Sequence, residues 1–260
     1  MKQKNKIVQM AVLSVLIAGC DVIPEGERLL PLPATAPQSN ALLIDFTGFL
    51  CVNCPMAAEE AQRLQQTYPD HLVVVAMHPK DNHFTQTTLP QYDYTCDAAN
   101  VYYNAFGGTS TTPFPTGIVD MQAGWLNYSE WATAVRTSVL RPKNGRLSLT
   151  ISDVDESSRR FTLTAESMLG DARVLLWLVA DSVHGAQMMP DGSTNLDYTH
   201  RHMLRDAIAD RTTPVNGLSY TLTDTIGGQV LPMTDYSVVG VLMERESGEL
   251  IDVQQIKIMK

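Results

Sequence analysis

Cys51 and Cys54 stand two residues apart in the run FTGFLCVNCPMAAEE, directly after an apolar, strand-like segment. That spacing serves two chemistries. A structural zinc site needs four ligands, usually a second CxxC pair or a spaced pair of histidines. The chain has one CxxC pair, and His78 and His83, the histidines that could complete a mixed site, read as loop residues beyond a strand end, so no metal is assigned. Thiol chemistry fits the surroundings better. A cysteine at the start of a helix faces unpaired N–H groups and the positive end of the helix dipole, which stabilise its thiolate. Cys51 is expected there, and Cys54, one turn on, can attack a mixed disulfide formed at Cys51 and release the reduced partner. Pro55 falls in the first turn, where a missing N–H costs little. The competing reading is a static disulfide that staples a strand to a helix.

The elements that must position this pair alternate. Residues 41–48, ALLIDFTG, are a short apolar run suited to a buried strand, and 52–68 have helical character ending before Pro69. Residues 71–79 form a second β-branched run, 95–106 a helix stopped by Gly107 and Gly108, 115–120 a third strand, and 128–140 a last helix. Asn127 and Glu130 fit a capping box at its start. Asp45 has LLI before it and Phe46 after it, a setting that favours burial and so a raised carboxyl pKa. After Lys143 the pattern changes to alternating strand-like runs separated by Gly, Asp, Ser and Pro, which predicts an all-β sandwich of about seven strands, immunoglobulin-like in kind. Residues 200–210 fit strand or helix. His200 and His202 read as surface or packing residues, Trp125 and Trp131 as the packing of the last helix, Trp177 as core, and Cys96 as a buried thiol without a role. No GxSxG, HExxH or phosphate loop is present.

The N-terminus sets the compartment. Lys2, Lys4 and Lys6 precede an apolar run too short to span a bilayer comfortably, which reads as an export signal over residues 1–20. The run closes in Ile17-Ala18-Gly19-Cys20, which looks like a bacterial lipobox, so Cys20 is expected to carry the lipid that anchors the chain to a membrane. Residues 21–40 hold four prolines and read as a spacer. Removing the signal moves the formal charge from −9 to −12, which argues against a nucleic-acid partner. Export also places the cysteines where disulfides persist.

The run LLIDFTGFLCVNC resembles the active-site strand and helix start of thioredoxin, with Asp45 six positions before the first cysteine and Pro115, in TPFPTGIVD, matching that family's cis-proline. The resemblance covers residues 41 to 141. It implies that Asp45 helps move the proton of Cys54 and that Pro115 shapes a substrate groove opposite the disulfide. Val52-Asn53 and Leu50 depart from the thioredoxin residues, so redox potential and docking are not carried over. The segment from Lys80 to Tyr94 reads as an insertion whose His83, Tyr92 and Tyr94 shape the rim. The lipobox, TGFLCVNCP and YTHRHMLRD together resemble the outer membrane protein twenty-eight-related family of bacterial lipoproteins. That resemblance implies a thioredoxin-like α/β domain, 41–142, followed by a β-sandwich, 143–260, at the outer membrane. The expected function is thiol–disulfide exchange on envelope proteins, without a cofactor. The alternative is a non-catalytic binding or scaffold lipoprotein whose disulfide is structural.

Overall fold

The structure is a computed structural model that describes residues 36–259. The export signal, Cys20 and most of the spacer lie outside the described residues. Residues from Pro37 onward form one compact unit. The alternating first half yields β1 (Ala41–Phe46), α1 (Cys54–Thr67), β2 (Leu72–Met77), α2 (Asp97–Ala105), β3 (Thr116–Val119) and α3 (Trp131–Leu140). β1 runs parallel to β2 and antiparallel to β3. All residues of these three strands are buried, as expected of strands covered on both faces.

Each helix is placed by one buried stripe. Cys54, Ala57, Ala61 and Leu64 recur at three- and four-residue steps along α1 and face the sheet. The alanines permit a close approach to Leu43 and Val74. Trp131, Val135 and Val139 of α3 complete that layer. Asn127 and Glu130 form the expected capping box, on a 3-10 turn (Tyr128–Glu130) that leads into α3. On the opposite face, Ala98, Ala99 and Tyr103 of α2 meet Leu42, Ile44 and Phe46. Trp125 joins this second face, edge-on to Phe46, rather than the layer under α3.

The second half differs from the self-contained sandwich that its alternation predicts. It has nine strands: β4 (Leu147–Asp155), β5 (Arg160–Ser167), β6 (Arg173–Ala180), β7 (Val183–Met188), β8 (Thr194–His200), β9 (Met203–Thr212), β10 (Val215–Thr221), β11 (Tyr236–Met243) and β12 (Leu250–Lys257). Of residues 200–210, ambiguous by pattern, His200 closes β8 and 203–210 lie in β9. Four strands extend the first sheet into one of seven, in the order β12-β11-β6-β9-β2-β1-β3. The join is one parallel bridge, Ala76 to Met203. β10, β5 and β4 form a second sheet, and β7 and β8 a separate hairpin.

The reason lies in β6, whose run RVLLWLVA is apolar at every position after Arg173. Val174, Leu176 and Leu178 point to the core shared with the β10-β5-β4 sheet, while Leu175, Trp177 and Val179 point to the core beneath α2. A strand apolar on both sides needs two covers, each buried aliphatic side chain stabilising by about 1.5–3 kcal/mol. The first half supplies one of them: Tyr102 of α2 accepts a hydrogen bond from Trp177 Nε1 at 2.7 Å. Lys143, where the sequence pattern changes, is buried against Asp120 at 2.9 Å. Asp120 in turn accepts from Ser138 Oγ at 2.6 Å and from the Leu42 amide at 3.1 Å. The passage between the halves is thereby tied to β1.

Candidate functional site

The loop between β1 and α1 carries a Cys51–Cys54 disulfide, with Cα atoms 5.4 Å apart. The helix begins at Cys54 with Asn53 as N-cap and Pro55 in its first turn. Cys51 therefore stands two residues ahead of the cap, not at the first helical position expected for it. The Val52-Asn53 turn separates it from the helix, and its carbonyl accepts the Cys54 amide at 3.2 Å. A β-carbon at Gly48 would run into the Phe84 carbonyl. That close approach admits the Leu50 amide to Phe84 O at 3.0 Å and fixes the loop.

Asp45 lies in β1 opposite Ala76 and Gly117. It is 3 % exposed, its Oδ1 has no hydrogen-bond partner, and burial pushes its carboxyl up to about 7. The Phe114–Pro115 bond is cis. Thr116, the next residue, pairs with Phe46 at the end of β1, which sets Pro115 beside the cysteine loop. Phe114 shares a hydrophobic cluster with both cysteines.

Both sulfurs are covered: Cys51 is 1 % and Cys54 2 % exposed. They belong to the core cluster that holds Phe46 and Phe114, and the β7–β8 hairpin is fastened over the backbone of their loop. Gln187 Nε2 donates to Cys51 O at 3.0 Å and to Gly48 O at 3.4 Å, and the Met188 amide donates to Phe49 O at 2.8 Å. The Ala186 amide donates to Tyr94 Oη at 2.7 Å, an approach that requires glycine at 185 because a β-carbon would collide with that oxygen. Of the three residues expected at a rim, Tyr94 is buried under the hairpin, Tyr92 is half-buried, and His83 is exposed and packed on Phe84. An open groove lined by Leu50, Thr87, Leu89, Tyr92 and Met188 runs between this insertion and the hairpin.

Gln187→Ala would remove the hydrogen bonds that the hairpin adds to the Cys51 and Gly48 carbonyls, which keep their loop amides, a cost of about 0.5–1.5 kcal/mol. If the hairpin limits access, reduction of the disulfide by dithiothreitol should accelerate about tenfold, with only a small fall in melting temperature. An unchanged reduction rate would show that the hairpin is no barrier.

Behind the disulfide lies a cavity of about 240 Å³ lined by Thr47, Cys54, His78, Gln187, Tyr198 and His200, with Glu59, Gln62 and Arg201 among the exposed residues that also border it. His78, expected in a loop, is 3 % exposed with neither ring nitrogen hydrogen-bonded. His200, read as a surface or packing residue, is 6 % exposed, and its Nε2 lies 3.2 Å from Ala186 O. Burial holds both imidazoles neutral, pushing His200 down to about 4 and His78 well below its usual range. Among the described residues, no three His, Cys, Asp or Glu side chains converge as a metal site. Cys96 is free and buried: its Sγ caps α2 by accepting the Ala99 amide at 3.4 Å and donates to Leu204 O at 3.2 Å, and burial pushes its thiol up. Gln187 has no signal in the sequence, since its partners lie well over a hundred residues away.

No family model matches the chain, and no curated protein does. Solved structures show the likeness instead. HBP35 of Porphyromonas gingivalis is similar in fold, with a TM-score of 0.60 at 13% identity over 86% of this chain and 76% of that one. A protein of Agrobacterium tumefaciens gives a TM-score of 0.51 at 12% identity over 85% and 96% of the two chains. A domain of the outer membrane lipoprotein Omp28 from Porphyromonas gingivalis matches 45% of this chain and 88% of its own at 16% identity, with a TM-score of 0.31.

Proposed function

We propose that this chain is an envelope lipoprotein, anchored through Cys20 and related to the outer membrane protein twenty-eight lipoproteins, that exchanges thiols and disulfides with envelope proteins at Cys51 and Cys54. The observation that carries the reading is Asp45, a buried carboxyl with an unpaired oxygen and a pKa lifted to about 7 in the strand that leads into the disulfide. Burying an unpaired carboxyl costs stability. A disulfide that only staples the loop gains nothing from it, whereas a proton acceptor near neutral pH is what a resolving thiol requires. In this reading the Cys51 thiolate attacks a client disulfide, and Cys54 resolves the mixed disulfide while Asp45 takes its proton. Pro115 shapes the groove beside them, and residues 41–142 act as the thioredoxin-like part. Residues 143–260 act as the sandwich-like part, whose hairpin must lift for a client to reach Cys51.

The near-complete burial of both sulfurs favours a second reading, a scaffold lipoprotein with a structural bond. The reduction midpoint separates the two. An exchanger should titrate between about −270 and −120 mV against glutathione or dithiothreitol buffers, and a midpoint below about −300 mV would mark the bond as structural.

A further inference from the structure

The exchange reading leaves a proton to be disposed of. With a small aromatic disulfide as oxidant, the Cys51 thiolate forms a mixed disulfide and expels one aryl thiolate. Cys54 then closes the Cys51–Cys54 bond, expels the second aryl thiolate and loses its proton. Asp45 can receive that proton, yet Asp45 is itself buried, so the proton must leave it as the bond closes for the step to run forward. The cavity offers the way out. Cys54 lines it, Thr47 continues the face of β1 on which Asp45 lies, and the exposed Glu59, Gln62 and Arg201 border it. The hydrogen bond from the Thr47 amide to Met77 O, at 3.0 Å, carries the β1–β2 register one step further, so that Thr47 faces His78.

Among the described residues that line this cavity, His78 is the buried side chain whose two nitrogens both stand unpaired. Neither has a hydrogen-bond partner although the residue is buried. Buried polar atoms in a folded protein are almost always paired, with protein or with water. The cavity has room for several waters and presents polar atoms to hold them. We propose that His78 is the relay by which the proton released through Cys54 and Asp45 reaches solvent, across water admitted to this cavity. The inference rests on the exchange reading for its biological use, but not for its chemistry.

The groups around His78 suit a transient carrier. His200 of β8 lies with its ring centroid 5.8 Å away and Tyr94 at 6.3 Å. Arg205 of β9, paired with Asp224 at 2.9 Å, opposes a lasting positive charge. Cys54 and Glu59 of α1, with Tyr198, Arg201 and His202, complete the polar lining, and Asp45 lies in the strand beneath. An imidazole held neutral here accepts a proton only to hand it on.

The test follows closure of the disulfide in the reduced full chain after rapid mixing with excess 5,5′-dithiobis(2-nitrobenzoate), reading release of the second aryl thiolate as a function of pH. His78→Ala and His78→Gln should each slow that phase about tenfold near pH 7 and leave the first, Cys51-dependent phase unchanged. Added imidazole should restore the rate in His78→Ala, which a merely structural role would not allow. In an Asp45→Asn background, His78→Ala should cost nothing further. A second phase that His78→Gln and His78→Ala leave at the wild-type rate, or one that imidazole does not rescue, overturns the relay. Because the probe needs no client, a relay that passes alongside a midpoint below about −300 mV would sink the exchange reading alone.

Discussion

On the exchange reading, Cys51→Ser should reduce disulfide exchange by the chain to background, a loss of more than about 10³-fold, because that reading makes Cys51 the sulfur that attacks the client. Cys54→Ser should behave differently. It retains Cys51 and loses the group that resolves the mixed disulfide, so covalent adducts should accumulate through Cys51 in cells and dissolve on reduction. The asymmetry follows from the loop. Cys51 belongs to the turn whose carbonyl Gln187 holds, and Cys54 opens α1 and faces the inner cavity. Mass spectrometry of adducts trapped by Cys54→Ser, set beside Cys51→Ser, is the direct check. Equal and negligible trapping by the two variants would leave only the scaffold reading.

Asp45→Asn should change how stability depends on pH. In the folded chain burial raises this carboxyl from 3.8 to about 7. A raised acid binds its proton more tightly when folded, so its contribution is fully present below about pH 4 and is lost as pH climbs through about 7. Wild type should therefore lose stability across that window, by up to about 4 kcal/mol if the whole shift is realised, and Asp45→Asn should not. Chemical denaturation at pH 4, 5.5, 7 and 8.5 resolves the difference. Parallel profiles for the two proteins would mean that Asp45 titrates as an exposed carboxylate. The same substitution should slow closure of the Cys51–Cys54 bond by about 10²-fold at neutral pH, since general base assistance is removed.

The residues of the site divide by whether local sequence specifies them. Cys51, Cys54, Asp45 and Pro115 sit in short segments whose strand, turn and helix signals are strong, and the structure sets all four around one loop. Even there the pattern misplaces Cys51 by a turn, because Val52-Asn53 gives no local sign that the helix waits for Cys54. Gln187, His78 and His200 were not legible. Their roles come from contacts such as Gln187 to Cys51, 136 residues apart, which periodicity cannot encode. The shared sheet is similar: β6 displays its two-sided apolar run openly, but that one side belongs to α2 rests on contacts such as Trp177 to Tyr102, 75 residues apart.

The hairpin fastened to the cysteine loop is encoded far downstream of it, and this imposes an order on folding. A chain synthesised N-terminus first exposes Cys51 and Cys54 before residue 187 has arrived. For that interval the pair is as open to oxidising enzymes as any nascent thiol. Once the C-terminal half docks, both sulfurs lie buried, and the oxidation state reached before that moment becomes harder to change.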